Sequence, residues 1–111
     1  MLATVPGQFA NAAVKVPIGG TALASVGGAV LVDSVAGAFL VARTADSAFS
    51  AVDAICTHES CTITGEDGAT YVCPCHGSRY NRNGRVVAGP ATASLRQFAT
   101  TFSDGVVAIA L

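Results

Sequence analysis

Two short segments hold all four cysteines and both histidines of this 111-residue chain, and no other feature constrains its fold as strongly. The first segment, residues 56–61, reads CTHESC, and the second, residues 73–80, reads CPCHGSRY. Thiolate and imidazole are ligands that both iron and zinc accept. The pattern therefore predicts a metal centre held by two loops that the fold brings together.

Each segment supplies one cysteine and one histidine, namely Cys56 with His58 and Cys73 with His76. This set divides into two thiolates for one iron and two imidazoles for the other iron of a 2Fe-2S cluster. A structural zinc site is an alternative for two cysteines and two histidines, although zinc ligands usually come as a cysteine pair and a histidine pair. Two plain structural disulfides would leave both histidines without a role.

Two cysteines remain, Cys61 and Cys75, one in each segment. A disulfide between them would tie the segments together, but four cysteines allow three pairings and the sequence leaves the connectivity open. A disulfide favours an oxidising compartment, because cytosolic thiols are kept reduced. We therefore expect a periplasmic or otherwise exported protein. Residues 1–13 contain no basic residue and no apolar stretch, so we expect the export signal or anchor to lie outside this sequence.

Both segments resemble those of the Rieske family, in the disulfide-bearing branch found in cytochrome bc complexes and related soluble proteins. That family reads C-T-H-x-x-C and C-P-C-H-G-S-x-(Y/F). The resemblance covers about residues 37–111, and residues 83–86 and 89–91 resemble the family's hairpin and its proline-containing loop over the cluster. The resemblance implies that one 2Fe-2S cluster is bound by Cys56, His58, Cys73 and His76, and that Cys61 and Cys75 form the disulfide.

The resemblance also implies two groups that tune the reduction potential. Ser78 stands where the family has a hydroxyl that donates to a bridging sulfide, and Tyr80 stands where a hydroxyl donates to a ligand thiolate. Such donors stabilise the negative charge that reduction adds, so they raise the potential. We expect the upper half of the Rieske range of about −150 to +300 mV. A plain turn serine and a half-buried strand tyrosine stay open as alternatives.

Glu59 and Ser60 depart from the respiratory pattern, in which Leu and Gly typically occupy these positions. A carboxylate at position 59 would enter an apolar quinol pocket only at a desolvation cost. It also places negative charge beside the cluster, which lowers the expected potential somewhat. The departure weakens the case for quinol oxidation and leaves the predicted ligand set unchanged.

Composition and patterning predict one folded domain, residues 1–111. Hydrophobic residues make up 51% of the chain and charged residues 12%, which argues against disorder. The net charge is −1, and no basic cluster supports nucleic-acid binding. The uncharged run at residues 16–32 contains four glycines, so it predicts β structure rather than a membrane-spanning helix.

Strands are expected almost throughout, because no segment has a sustained helical period. The expected strands are residues 14–18, 29–35, 39–44, 48–55 and 70–72, a hairpin at 80–87 that turns at Asn83-Gly84, and a final pair at 97–102 and 106–111. We therefore predict an all-β, Rieske-like antiparallel β-sandwich or barrel with a cluster-binding tip formed by two loops.

The function expected from these features is one-electron transfer by a high-potential Rieske-type cluster whose histidine ligands couple electron transfer to proton transfer. The expected partner is a cytochrome-like redox protein or another subunit of an oxidoreductase complex, and quinol stays open as a reductant. The alternative is a ferredoxin-type module that supplies an oxygenase or reductase, a group that typically lacks the disulfide and the serine donor. We predict no catalytic site in the chain itself, no nucleic-acid partner, no membrane segment and a monomer.

Overall fold

The computed structural model describes residues 1–57 and 60–111, and strands account for nearly all of the regular structure in that part of the chain. In chain order the strands are β1 (Thr4–Pro6), β2 (Gln8–Ala10), β3 (Ala13–Pro17), β4 (Ala29–Ser34), β5 (Gly37–Ala45), β6 (Ala48–Asp53), β7 (Gly65–Asp67), β8 (Thr70–Val72), β9 (Arg79–Asn81), β10 (Val86–Ala88), β11 (Gln97–Phe98), β12 (Thr100–Ser103) and β13 (Val106–Ala110). One 3-10 turn, Ala22–Ala24, precedes β4. No helix among the described residues is long and apolar enough to cross a membrane.

These strands form three sheets, which we call the central sheet, the outer sheet and the tip sheet. The central sheet has the order β1-β4-β5-β6-β11, the outer sheet β12-β13-β3-β2, and the tip sheet β10-β9-β8-β7. Neighbouring strands pair antiparallel in the described residues, except that β1 runs parallel to β4. The tip sheet adjoins both cysteine- and histidine-bearing segments, so its position fixes where the predicted metal centre lies.

The central sheet is buried on both faces, which explains the uninterrupted apolar runs at residues 29–32 and 39–42. Alternate side chains of a strand point to opposite faces of the sheet. One face packs on the outer sheet and includes Val30, Val32, Val41 and Ala51, with Val14, Val16 and Ile109 opposite. The other face packs on the tip and includes Leu31, Leu40, Ala42 and Val52, with Ile63, Tyr71 and Tyr80 opposite.

The predicted all-β class is confirmed, with the difference that the sheets stack and do not close into a barrel. The hairpin β4–β5 and strand β8 lie where the pattern places them. The expected strand at 97–102 is instead divided at Ala99, because β11 pairs with β6 of the central sheet and β12 pairs with β13 of the outer sheet. A strand that passes from one sheet to another in this way forms a corner of the stack.

Candidate metal centre

A disulfide joins the two segments at the tip. The bond links Cys61 to Cys75, with 6.6 Å between their Cα atoms. The first loop is closed by a 2.8 Å hydrogen bond from Cys56 N to Cys61 O, and the second by a 2.8 Å bond from Cys73 N to Ser78 O. The pairing that the sequence left open is therefore Cys61 with Cys75, and it holds the two loops against each other.

The other two cysteines, Cys56 and Cys73, lie outside the disulfide and are buried, with exposed fractions of 5% and 1%. Burial raises the pKa of the Cys73 thiol, and the neighbouring Cys56 thiol raises it further. The two sulfurs thus share one apolar compartment beneath the disulfide. Because a metal binds thiolate, binding here would release the proton that the raised pKa keeps on the Cys73 thiol.

Only one of the two predicted histidine ligands is described. His76 follows Cys75 in the second loop and is exposed. His58, together with Glu59, lies outside the described residues. The second loop therefore has a buried thiol, Cys73, and an exposed imidazole, His76.

Tyr80 reaches from β9 to the first loop. Its hydroxyl lies 3.2 Å from Cys56 Sγ, accepts a 3.2 Å hydrogen bond from Thr57 N, and lies 3.1 Å from Thr57 Oγ1. Thr57 Oγ1 uses its own proton to donate to Ala93 O at 2.6 Å. The Tyr80 proton is therefore directed at either the Cys56 sulfur or Thr57 Oγ1, and a thiolate is the stronger acceptor.

Ser78 is buried at the base of the second loop, with 1% of its surface exposed. Its hydroxyl oxygen accepts a 3.0 Å hydrogen bond from Ala91 N, in the loop that follows Gly89-Pro90. That bond occupies the oxygen as an acceptor and leaves the hydroxyl proton to donate elsewhere. A buried hydroxyl at the base of the loop that carries Cys73, with its proton still available to donate, is compatible with the predicted role as a donor to sulfur.

Burial raises the pKa of Tyr80, and its hydrogen bond to Cys56 acts in the same direction. The phenol therefore stays protonated across the physiological range and keeps a proton to donate. Of the two predicted donors, Tyr80 lies within hydrogen-bond distance of a cysteine sulfur, and Ser78 is buried with its hydroxyl on Ala91 N.

The residues present fit a two-iron cluster. Within residues 1–57 and 60–111, no three His, Cys, Asp or Glu side chains converge tightly enough to hold a single metal ion. A 2Fe-2S cluster of the mixed type does not need such convergence, since its thiolates and its imidazoles bind different irons. Two buried thiols, an exposed histidine on the second loop, and the Tyr80 hydroxyl 3.2 Å from Cys56 Sγ match that division.

The sequence predicted no role for Thr57 or residues 92–93, and it placed Ala91 in the proline-containing loop without a specific contact. The structure gives both a position, because Thr57 Oγ1 bonds to Ala93 O and Ala91 N bonds to Ser78 Oγ. A threonine beside a predicted ligand was the available signal. Its partner lies 36 residues away along the chain, so spacing alone could not identify the contact.

Comparisons with known proteins agree with this chemistry. The family model for the Rieske 2Fe-2S domain matches residues 12–99. The cytochrome b6-f complex iron-sulfur subunit of Prochlorococcus marinus strain MIT 9211 is 56% identical over 45 residues, which are 40% of this chain and 25% of that protein. The subunit of the same name from Chlorobaculum tepidum is 35% identical over 63 residues, 56% of this chain and 35% of that protein. The chain thus spans about a quarter to a third of the length of these relatives.

Solved structures give the same result for the fold. The plasma membrane Rieske protein of Synechocystis PCC 6803 superposes with a TM-score of 0.67 at 29% identity, covering 75% of this chain and 86% of that one. The Sphingomonas yanoikuyae B1 ferredoxin superposes with a TM-score of 0.64 at 27% identity, covering 78% and 88%. Members of the matched family bind a 2Fe-2S cluster through two cysteines and two histidines. On the family match over residues 12–99, this chain belongs to the Rieske 2Fe-2S domain family.

Proposed function

We propose that this chain transfers single electrons through one 2Fe-2S cluster bound by Cys56, His58, Cys73 and His76. When bound, such a cluster accepts and releases one electron at a time. The observation that carries the proposal is the pair of buried thiols that share one compartment beneath the disulfide-tied loops. We further propose that residues 1–111 form one domain, since the central sheet contributes to both apolar cores.

The proposed ligands differ in how deeply they are buried. Cys56 and Cys73 sit behind the loops, where the apolar core excludes water from their sulfurs. His76 is exposed on the second loop, so an electron partner can approach the centre from that side. This division supports exchange through the histidine side and protection of the thiolate side.

Two hydroxyls support a high potential. Tyr80 Oη lies 3.2 Å from Cys56 Sγ, and Ser78 retains its hydroxyl proton because its oxygen accepts from Ala91 N. Donors directed at sulfur stabilise the added negative charge of the reduced state more than they stabilise the oxidised state. We therefore assign Ser78 and Tyr80 the role of raising the reduction potential.

The proposed partner is a cytochrome-like redox protein or a neighbouring subunit of an oxidoreductase complex. Relatives named as iron-sulfur subunits of the cytochrome b6-f complex support this choice. Quinol is less well supported as a reductant, because Glu59 stands where an apolar residue would suit a quinol pocket. The Cys61–Cys75 disulfide supports a periplasmic or otherwise exported location, and we propose a monomer.

A ferredoxin-type module for an oxygenase or reductase is the second candidate. The structural likeness to the Sphingomonas yanoikuyae ferredoxin favours it. The disulfide and the buried Ser78 hydroxyl argue for the first candidate, since ferredoxin-type members typically lack both. The reduction potential separates the two candidates.

The test is to measure iron and acid-labile sulfide in the purified protein, record its EPR spectrum after reduction, and determine its potential by voltammetry across pH. Two irons and two sulfides per chain with a positive potential that falls at alkaline pH would support the high-potential carrier. A negative potential that does not change near neutral pH would favour the ferredoxin-type module. Zinc in place of iron would refute electron transfer.

A further inference from the structure

Arg85 and residues 94–98 line two neighbouring clefts, and we call this surface the lateral ridge; Arg85, Ser94, Arg96 and Gln97 are exposed on it, whereas Leu95 is buried. It is fixed to both halves of the protein, because Leu95 N donates to Gly84 O at 2.7 Å and Asp53 N donates to Arg96 O at 2.9 Å. A polar cleft of about 650 Å³ on one flank includes Arg85. A more apolar groove of about 420 Å³ on the other flank includes Arg96.

The two arginines of this surface make no ion pair within the described part of the chain, although the Asp53 carboxylate, which accepts a 3.1 Å hydrogen bond from Ile55 N, lines the same groove as Arg96. Three arginines elsewhere bond within the protein: Arg79 to Asp67, Arg82 to Glu66, and Arg43 to the carbonyl oxygens of Leu23 and Ala24. Arg85, by contrast, has neither an ion pair nor a side-chain hydrogen bond with a described residue, and Arg96 only covers the Phe98 ring at 4.8 Å. A chain with a net charge of −1 thus presents two unpaired positive charges on one ridge.

The turn that carries Arg85 is held in one conformation. Asn81 Oδ1 accepts hydrogen bonds from Asn83 N and from Arg85 N, both at 3.0 Å, and Gly84 N donates to Asn81 O at 2.9 Å. Gly84 has a φ of +84°, and a Cβ there would lie 3.0 Å from Leu95 Cβ. Because the backbone of the turn is already ordered, binding an anion would require ordering only the Arg85 side chain.

The groove beside Arg96 supplies an apolar contact next to the first cysteine loop. Ile55 is 39% exposed there and directly precedes Cys56. The ridge itself starts one residue after Ala93, whose carbonyl oxygen accepts a 2.6 Å hydrogen bond from Thr57 Oγ1. An apolar centre with a charged rim is the usual composition of a protein docking face, and this one adjoins the loop that carries Cys56.

We propose that the lateral ridge docks the redox partner, and that this partner presents carboxylates around an apolar contact. The inference rests on the proposed function, since it names the charge of the partner. Transient redox complexes bury small interfaces and depend on complementary charge for fast encounter. Arg85 and Arg96 would steer an acidic face toward the side of the first loop.

The first test measures how fast the reduced protein is oxidised by two small complexes of opposite charge. The anion hexacyanoferrate(III) and the cation tris(phenanthroline)cobalt(III) each accept one electron from the cluster. Arg85→Gln and Arg96→Gln are compared with Lys15→Gln, which removes the same charge from an exposed side chain of strand β3 in the outer sheet. We expect both ridge variants to react about 2- to 4-fold more slowly with the anion at low ionic strength, with the difference lost in high salt.

The same variants should react with the cation no more slowly than wild type, and Lys15→Gln should stay within about 1.3-fold of wild type with both probes. Equal slowing of all three variants by the anion would overturn the proposal, because net charge alone would then explain the rates. A protein with no reversible cluster reduction would instead refute the proposed electron transfer.

A second test does not depend on electron transfer. Redox-inert hexacyanochromate(III) is added to isotope-labelled protein, and paramagnetic broadening of amide signals maps where the anion resides. Broadening concentrated at residues 85 and 94–97 supports the docking ridge even if the cluster proves inactive. Broadening that is uniform, or strongest near Lys15, refutes it. Sedimentation that reveals a dimer whose interface protects residues 94–98 would also refute it, since a second copy would then be the occupant.

Discussion

We call the central and outer sheets together the base of the molecule. In the base, strands β4 to β6 run for six to nine residues and bury both faces, whereas the tip strands β7 to β10 run for three residues each. The base excludes water by apolar packing between two sheets. The tip instead depends on the Cys61–Cys75 disulfide and on hydrogen bonds such as those of Tyr80. A small sheet of short strands has too little core of its own to be stable alone.

The tip therefore shares its apolar core with the central sheet of the base. Tyr71 and Tyr80 are fully buried, and they belong to the same apolar cluster as Leu40 of the central sheet. Side chains that hold the chemistry are thus supported by side chains that have no chemical role. This comparison teaches that cluster retention and global stability should respond to different substitutions.

The largest expected effect is on the tip alone. Cys73→Ser replaces a buried thiol that we assign as an iron ligand, so we expect loss of essentially all bound iron. Hydrogen exchange should still find slowly exchanging amides in strands β4 to β6. The apolar cluster between the central and outer sheets, which protects these strands on one face, does not include Cys73. Iron analysis and exchange mass spectrometry check the two halves of this prediction. A variant that keeps its iron would remove Cys73 from the ligand set.

Leu40 and Val41 provide a matched pair that separates the two faces of β5. Both are fully buried neighbours, but Leu40 faces the tip and Val41 faces the outer sheet. We expect each alanine variant to lower the free energy of unfolding by about 2–4 kcal/mol. Only Leu40→Ala should also speed loss of the cluster, measured as the decay of visible absorbance below the unfolding temperature. Equal decay rates in both variants would show that the base responds as one unit.

Removal of the disulfide should affect the tip more than the base. The Cys61→Ser, Cys75→Ser double variant opens a loop with a sequence separation of 14, which corresponds to about 3 kcal/mol of lost stabilisation. We expect faster cluster loss in the folded protein, followed by visible absorbance under native conditions. Cluster retention equal to that of wild type would contradict the idea that the bond secures the two loops.

The sequence predicted the tip better than the base. The two segments identified Cys56 and Cys73 as the thiols that lie together, because the spacing of ligands within a motif reflects the metal chemistry that they perform. The correct disulfide came from the resemblance, since four cysteines allow three pairings. Ser78 was expected as a donor, but its bond to Ala91 N is a long-range contact that no local pattern encodes.

In the base, alternation and turn residues located most of the strands but not their partners. The three-residue strands β1 and β2 were missed, as was β7 of the tip, because strands so short show no period. The expected strand at 97–102 looked continuous, yet its halves pair with different sheets. That break is set by tertiary packing, and the residues around Ala99 contain no Gly or Pro to mark it.

The two tyrosines of the tip differ in one contact, which makes them a test of potential tuning. Tyr80 Oη lies on Cys56 Sγ, whereas Tyr71 Oη is buried with no hydrogen-bond partner by distance and angle among the described residues. We expect Tyr80→Phe, and likewise Ser78→Ala, to lower the potential by about 50 mV, since each removes a donor to charged sulfur. Tyr71→Phe should leave the potential unchanged. Voltammetry of the three variants decides, and equal shifts in both tyrosine variants would refute a specific role for Tyr80.

Tyr71 supplies the smallest effect, one on stability at alkaline pH. Burial raises the pKa of Tyr71 well above its usual value, and the positive charge of Arg82, whose guanidinium lies 4.6 Å from the ring centroid, only partly opposes this. A tyrosine in the unfolded chain has a pKa of about 10. Above that pH the unfolded state has lost this proton while folded Tyr71 still holds it, so the unfolded state binds fewer protons than the folded state. The free energy of unfolding should then fall by about 1.4 kcal/mol per pH unit from this residue. Denaturant unfolding between pH 9 and 11 should therefore show a shallower loss in Tyr71→Phe, because other groups contribute equally to both proteins. Parallel curves for the variant and wild type would mean that Tyr71 ionises as readily in the folded tip as in the unfolded chain.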